Sequence, residues 1–484
     1  MRTALKFALA ALYLLAPFGL LLALGMLPLP SSHAGRLFRD NLASALAIVG
    51  FSIVILEVVV ICRVRPISNL FGCDRVMRTH QLFARTGALF LLAHPFLYSL
   101  WGNVARPGER SPAALGLDGA SLLSGAVAWT ALIALVVLAM SRHEAGRNYD
   151  RWRKWHAALA VVVIAGGLHH TLQAGLYSSI GWVAAVWWAL VGGAAAVLLW
   201  LYLVRPWMAS GRPYALVACR PVAQHIWSLE LRAEGRVVQA PLPGQFFWIK
   251  HTSPWAFADH PFSVFRASND GRSLSFLVKE SGAFTAAITH FPAGKTFYLD
   301  GPYGNFQIPS RAQTVVMVAG GIGIATMIGL LQQAATRQDP RRFVLIYATQ
   351  TPADQMNASI AVEQGGLTGF TMERVVESAD SGWTASVGQC DGEFVVAACQ
   401  RAGVDLSSEG LCFMVCGPAA MADSVERVLV AHAVPMASIH TERYRYDVGE
   451  DSPIARRSVR RWLAISLTML MAAGLLAAQL SSLG

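Results

Sequence analysis

The sequence predicts a multidomain membrane protein: a six-helix transmembrane bundle, an antiparallel β-barrel, an α/β nucleotide-binding domain and an extra C-terminal transmembrane helix. Three observations carry this. Only 14% of the 484 residues are charged and 54% are hydrophobic, against roughly 25% charged in a soluble globular protein. Apolar runs near the roughly 20 residues that span a bilayer recur at 4–29, 41–62, 82–102, 121–140, 157–175 and 181–204, with a last one at 462–481. Between 205 and 461 the pattern changes to short alternating segments and then to strand, Gly-rich turn and helix.

The first run resembles a signal peptide in having a small-residue "SHAG" after it, at Ser32–Gly35. Its apolar core is longer than the 7–15 residues of such a signal, so it is expected to be a helix. Orientation follows from loop charge. Arg63, Arg65, Arg75 and Arg78 occupy one loop, and Arg142, Arg147, Arg151, Arg153 and Lys154 another; the alternate loops are poorer in cations. Cytoplasmic loops hold the excess of Lys and Arg, which places the N-terminus and the large segment 205–461 in the cytoplasm. Arg456, Arg457, Arg460 and Arg461 before the last run agree. The net charge of +10 is thereby a topology signal, and no nucleic-acid partner is expected. The seven cysteines show no spacing of a zinc site or an iron–sulfur cluster, so packing is their expected role, Cys416 excepted.

Histidines mark two of the helices. "HQLFARTGALFLLAHPFLYSLWG" places His80 and His94 fourteen positions apart, and "RWRKWHAALAVVVIAGGLHHTLQAG" does the same with His156 and His170. Fourteen residues fall about 40° short of four helical turns and rise about 21 Å. Each pair therefore shares one face, with one imidazole near each leaflet. Ionisable groups inside a membrane are costly and mark function. Two such helices can supply axial ligands to two stacked metal centres, His80 with His156 and His94 with His170. His169 would point about 140° short of four turns from His156, and stays the alternative to His170. Neutral imidazole is an axial ligand of haem iron, so two b-type haems are the expected metal groups. Arg78, Arg85 and Arg153 could pair with propionates or snorkel to the membrane surface, and Glu57 is equally ambiguous.

After "RPWMASGRPY" come short strand-like segments: "ALVAC", "IWSLELRA", "QFFWIKH", "HPFSVF", "LSFLVKE" and "TFYLDGPYG". Regular short strands with turn signals predict a small barrel. From about 313 the order "TVVMVAGGIGIATMIGLLQQA", "RFVLIYATQ", "TMERVVES" and "CFMVCGPAAMADSVERVLVAHAV" predicts a parallel sheet with flanking helices. Glycines in "AGGIGIAT" let backbone N–H groups approach a pyrophosphate at a helix N-terminus.

The succession "HPFS", "KESGAFT", "DGPYG", "VAGGIGIA", "CGPAAM" resembles the ferredoxin–NADP reductase type of flavin domain. Joined to a bundle with paired histidines, it resembles the NADPH oxidase and ferric reductase family over about 35–446. The resemblance implies a first helix at 1–30, a ferric reductase-like haem bundle at 35–205, an FAD-binding barrel at 212–309, an NAD(P)-binding domain at 310–446, a basic linker at 447–461 and a C-terminal helix at 462–481. It implies His260, Pro261, Phe262 and Ser263 against the flavin. Lys279, Gly282, Phe284 and Thr285 would hold the FAD pyrophosphate. Gly320, Gly321, Ile322 and Gly323 would form the dinucleotide loop. Cys416, Gly417 and Pro418 would lie beside the nicotinamide, with Cys416 lining the hydride-transfer site. Tyr444 or Tyr446, in "IHTERYRYD", would cover the flavin.

Three departures stand out. Ala325-Thr326 replaces the family's Thr-Pro. Gln350 stands where relatives place an Arg suited to a 2′-phosphate, so NADPH and NADH are both open. The chain also continues into a seventh helix, expected to anchor the reductase or pack small residues.

The resemblance implies transfer of electrons from NADPH or NADH through FAD and two haems to an extracytoplasmic acceptor, oxygen or a ferric chelate. The protein would sit in the lipid bilayer of a bacterial inner membrane with its FAD and NAD(P) domains cytoplasmic. Alternatives are an electron-donor subunit feeding an extracytoplasmic acceptor protein, and a non-enzymatic redox-sensing transporter.

Overall fold

The computed structural model describes residues 19–20, 23–24, 38–61, 63, 65–98, 119–141, 149–174, 177–356, 367, 369–443 and 453–482. They fall into two compact units, one within 1–64, 79–202 and 459–484, the other within 65–78 and 203–458. Most of the first expected run, 4–29, lies outside the described residues, as do Tyr444 and Tyr446.

The first unit is helical. It contains α1 (Phe38–Ile61), most of α3 (Cys73–Leu97), α4 (Gly119–Met140), α5 (Tyr149–Ala174), α6 (Gly181–Leu199) and most of α12 (Pro453–Ser482). Among the described residues, five stretches are long and apolar enough to cross a membrane: Phe38–Ile61, Gly119–Met140, Asp150–Gln173, Gly181–Ser210 and Arg456–Gln479. The helix α3 is not among them. The sequence predicts it at 82–102, yet it begins at Cys73. Its first turns carry Asp74, Arg75 and Arg78, which read as loop by hydropathy. Those turns belong with the second unit, where charge is tolerated.

Backbones approach closely where glycine allows it. A Cβ on Gly50 of α1 would stand 3.0 Å from the Gly87 carbonyl of α3, and one on Gly87 3.1 Å from the Gly50 carbonyl. Without a hydrophobic force between helices in lipid, such close packing and interhelical hydrogen bonds hold a bundle together. The Tyr177 hydroxyl donates to Asn41 Oδ1 at 2.7 Å, and Trp187 Nε1 donates to Ser178 Oγ at 2.9 Å. The C-terminal helix is a full member of this packing. Trp462 Nε1 donates to the buried Thr86 Oγ1 of α3 at 2.7 Å, and Ser466 Oγ lies 2.9 Å from the same atom. Met469, Ala473 and Leu476 are buried in the core shared with α1 and α6.

The second unit opens with the short α2 (Arg65–Phe71), whose Arg65 guanidinium donates to the Gly301 carbonyl and lies over the Tyr303 ring at 5.7 Å. The chain re-enters this unit through a π-helical turn, Trp200–Val204, and α7 (Arg205–Ser210). Strands β1 (Pro213–Ala223), β2 (Ile226–Ala233), β3 (Phe246–Lys250), β4 (His260–Ala267), β5 (Ser273–Lys279) and β6 (Thr296–Tyr303) then close an antiparallel barrel in the order β1-β2-β5-β4-β3-β6. Alternate residues such as Leu229, Leu231, Phe276 and Val278 fill its core, the period-2 pattern of a half-buried strand.

A six-stranded parallel sheet follows. Its strands are β7 (Thr314–Gly320), β8 (Arg342–Thr349), β9 (Phe370–Val376), β10 (Ser386–Val387), β11 (Leu411–Gly417) and β12 (Ile439–Arg443), ordered β10-β9-β8-β7-β11-β12. Helices α9 (Ile324–Thr336), α10 (Gly392–Arg401) and α11 (Ala419–Ala431) cover it, while α8 (Ala283–Ala287) follows β5 in the barrel. Strands covered on both faces read as continuous apolar runs, as "TVVMVAG" and "LCFMVCG" do. The strand order reverses at β7, between β8 and β11, and ligands of such sheets bind at that crevice.

Candidate functional site

In the helical unit the structure brings His80 and His156 together. Their ring centroids are 6.4 Å apart and the planes are nearly perpendicular, at 76°. Two imidazoles sharing one metal, each with a bond of about 2 Å to it, stand at about this separation. His80 Nδ1 lies 2.9 Å from Glu57 Oε2, a carboxylate buried inside α1. Trp152 stacks on His156 at 5.1 Å.

The second pair is set by carbonyls. His94 Nδ1 donates to the Leu91 carbonyl at 2.6 Å and His170 Nδ1 to the Ser121 carbonyl at 2.9 Å. Because a carbonyl or carboxylate only accepts, neutral His80, His94 and His170 all carry the proton on Nδ1. Each then presents the Nε2 lone pair, the arrangement a metal-ligating histidine needs. His169 differs. Its Nδ1 faces the Ser124 hydroxyl at 2.9 Å, which can donate or accept, and the residue is exposed. Such a donor set suits haem iron, and of the doubled histidines His170 has its Nδ1 on a carbonyl while His169 faces a hydroxyl.

Sequence reasoning left Glu57 undecided and, while predicting α4 at 121–140, gave it no part in the site. A Cβ on Gly125 would stand 2.6 Å from His170 Nδ1. With Ser121 and Ser124, this glycine makes "SLLSG" the seat of the doubled histidine. The legible signal was a run of small residues in an otherwise bulky apolar helix.

In the barrel, His260 stacks on Phe284 at 4.2 Å and 7°, and His251 lies 4.6 Å from the same ring. Phe262 is 6.1 Å from Phe284, Ser263 is buried and Pro261 is exposed. These residues form an aromatic wall along β4 and α8. Burial, with His260 and Lys295 nearby, pushes the His251 pKa below its ordinary value. Beside the wall, Thr285 Oγ1 accepts from the Ser281 and Gly282 N–H groups at 2.8 and 2.9 Å. Lys279 ends β5 half-buried, and nothing crowds Gly282. An aromatic wall, a cation and an open glycine turn suit a flavin ring with its pyrophosphate.

At the reversal of the sheet, β7 and β11 pair in register with Ala319 beside Cys416. Gly321 adopts φ +53°, a conformation that favours glycine. A Cβ on Gly323 would collide with the Cys416 carbonyl, and one on Gly320 would stand 2.7 Å from Pro418 Cδ. The two glycine turns, 320–323 and 416–418, are thus built against each other, with Ile322 half-buried between them. Cys416 is wholly buried, in the core cluster against which Ile322 of the turn packs, and its carbonyl faces Gly323. Thr326, in the position of the family's proline, is also buried, its hydroxyl 3.5 Å from Glu442 Oε2.

Sequence reasoning also missed the end of β12. The buried Arg443 pairs with Asp423 at 2.6 Å and Glu426 at 3.1 Å, and Thr441 donates to Glu426 at 2.6 Å. This network ties β12 to α11. It borders a small cavity of about 40 Å³ lined also by Phe246, Asn305 and Glu442.

Comparison with known proteins agrees with both halves. Residues 46–167 match the family described as "Ferric reductase like transmembrane component", and residues 317–427 match "Oxidoreductase NAD-binding domain". The first span includes Glu57, His80, His94 and His156. Similar proteins include an uncharacterized protein of Archaeoglobus fulgidus, 29% identical over 126 residues, which are 25% of this chain and 69% of that one. The anthranilate 1,2-dioxygenase electron transfer component of Acinetobacter baylyi is 25% identical over 228 residues, 45% of this chain and 62% of the relative. NADH-cytochrome b5 reductase 1 of Cryptococcus neoformans is 29% identical over 162 residues, 32% and 55% of the two chains. The chain spans about three fifths of the length of these reductases. Among solved structures, the cytochrome b5 reductase domain of Ulva prolifera nitrate reductase aligns with a TM-score of 0.41 at 18% identity, covering 48% of this chain and 98% of that one.

The chain is an integral membrane protein of the electron-transfer oxidoreductase class. It joins a ferric reductase-like transmembrane domain to an oxidoreductase NAD-binding domain.

Proposed function

We propose that the protein carries electrons from cytoplasmic NAD(P)H through FAD and two b-type haems to oxygen or a ferric chelate on the far side of a bacterial inner membrane. The observation that carries this is the pair His80–His156, 6.4 Å apart with His80 held by Glu57 in the tautomer that presents Nε2. His94 and His170 would ligate the outer haem, His80 and His156 the inner one. Bound FAD would supply the conversion of a hydride into single electrons, and bound haem iron a relay for them.

The residues orient, shield and tune. Glu57 accepts a hydrogen bond from His80 Nδ1, raising the basicity of Nε2. The Leu91 and Ser121 carbonyls do the same, more weakly, for His94 and His170. The His260–Phe284 stack and Phe262 exclude water from one side of the flavin seat, while Lys279 meets the pyrophosphate charge. The turn 320–323 would hold the pyrophosphate of the dinucleotide and 416–418 its nicotinamide end at the β7–β11 crevice, and Tyr444 or Tyr446 would cover the flavin. Arg153 and Arg85 lie at the cytoplasmic end by the positive-inside tendency.

Purified full-length protein, reduced anaerobically with NADH or NADPH, is expected to show the sharp bands of bis-histidine haem and two haems per chain. Superoxide-dismutase-sensitive reduction of cytochrome c would identify oxygen as acceptor, and capture of Fe(II) by a chelator would identify ferric chelate. Absence of haem bands in protein containing flavin would overturn the proposal.

A further inference from the structure

The nicotinamide end of the dinucleotide is assigned above to the β11 side of the crevice, at Cys416–Pro418. The adenosine end therefore extends the other way, over the tips of β8 and β9. These strands continue the register of the glycine turn: Gly320 pairs with Ala348, and Thr349 with Val376. Just beyond, the Glu377 N–H donates to the Thr349 carbonyl at 3.1 Å, and the Ser378 N–H to the Gln350 carbonyl at 2.9 Å. Glu377 thus stands two strands from the turn, about 10 Å at ordinary strand spacing, one nucleoside from the pyrophosphate. Gln350, Glu377, Ser378 and Asp380 are all exposed there.

Among the described residues no ion pair joins Glu377 or Asp380 to a cation. The sequence contains no Lys or Arg between Arg342 and Arg374, or between Arg374 and Arg401. Arg374 lies over the Trp383 ring at 5.1 Å, and Arg401 is paired with Glu373. Both are thereby directed to other partners. A 2′-phosphate carries about −1.5 to −2 charges near neutral pH, and sites that accept it present Arg. A ribose 2′-hydroxyl is instead a donor that a carboxylate accepts, which is how dinucleotide folds recognise NAD. In many such folds that carboxylate sits at the tip of the second strand. Here β8 ends in Gln350, and β9 supplies the carboxylate.

We infer that Glu377 reads the adenosine 2′ position, accepting a hydrogen bond from the hydroxyl and repelling a 2′-phosphate, so that NADH is the hydride donor. This rests on the proposed function and adds to it the choice of nucleotide. Gln350 offers an amide beside the ribose without the charge that a phosphate needs.

The test uses the full-length protein in detergent. Flavin reduction by NADH and NADPH is followed anaerobically, and binding of 5′-AMP and 2′,5′-ADP is measured by calorimetry, which needs no turnover. We expect NADH to exceed NADPH at least tenfold in reduction efficiency, and 5′-AMP to bind more tightly than 2′,5′-ADP. Glu377→Arg should bring both ratios to unity or invert them. Glu377→Gln, which preserves size at this exposed position, should narrow the ratio through gained NADPH activity and a lost hydroxyl contact. Equal or better use of NADPH by the unaltered protein overturns the inference while leaving the electron-transfer function standing. A ratio unmoved by both substitutions also overturns it, because another residue then reads the position. Failure of both nucleotides to reduce bound flavin overturns the proposed function itself and this inference with it.

Discussion

The helical unit buries several polar groups within its apolar core and leaves bulky apolar residues exposed on its outside; the reductase unit keeps its apolar strands covered. Asn41, Ser52, Glu57, Thr86 and Ser121 are buried in the bundle, while Leu123, Val137, Met140 and Leu475 are among its most exposed residues. In the sheet, Val315, Val316, Met317 and Val318 of β7 are wholly buried. Lipid solvates hydrocarbon, so the bundle gains nothing by hiding leucine. It gains by giving each interior polar group a partner. Water makes the opposite demand on the reductase. In the first unit chemistry therefore resides in the few interior side chains that hydrogen-bond. In the second it resides in backbone turns that glycine permits.

Substitutions should separate these two modes. The largest effect is expected in the bundle, where His80→Ala should remove one haem per chain and leave the flavin unchanged, as counted by pyridine haemochrome and flavin absorbance. Glu57→Gln should retain the ligand but weaken haem retention by about 10-fold or more, seen as loss during dilution. Retention equal to that of the unaltered protein would remove Glu57 from the site.

Next is the backbone mode. Gly323→Ala drives a Cβ into the Cys416 carbonyl and should destabilise the nucleotide domain by about 3 kcal/mol, measured as a lower midpoint for flavin release on heating. Haem content at ambient temperature should not change.

A smaller effect tests where side chain and backbone meet. Gly125→Ala places its methyl against His170 Nδ1, whereas Gly119→Ala meets nothing within 4 Å. The first should shift the spectrum or potential of one haem and the second neither. Equal behaviour of the two would mean that α4 does not seat His170.

The smallest effect is in pH dependence. Burial, with Arg75 and Arg311 nearby, holds the pKa of His440 below its ordinary value. Unfolded chain then binds more protons than folded chain once pH falls below about 6.5, so stability should decline from there toward the folded pKa. His440→Gln should flatten that decline, read from denaturation midpoints at pH 7 and 5.5.

The barrel and the parallel sheet were legible because each strand carries its own period and the glycine turns sit at strand ends. The common face of His80 and His94 followed from helical geometry alone. The partner of Glu57 was not legible, because an acidic residue in an apolar helix signals cost without naming what offsets it. The start of α3 was missed because hydropathy marks where lipid ends, and helices continue past it. Arg443 with Asp423 and Glu426 was hidden for another reason: ion pairs between a strand and a helix have no fixed sequence spacing. Glu377 falls between these cases, since its strand was recognised but its place at the tip required the register with β8.

The hydrogen bonds from Trp462 and Ser466 to Thr86 have a consequence for biosynthesis. The helix that supplies them is translated after the whole barrel and sheet, although its seat on α3 is made long before. Until then the Thr86 hydroxyl has only the Leu82 carbonyl of its own helix, at 3.5 Å. The bundle is completed only by a chain whose reductase has already been synthesised.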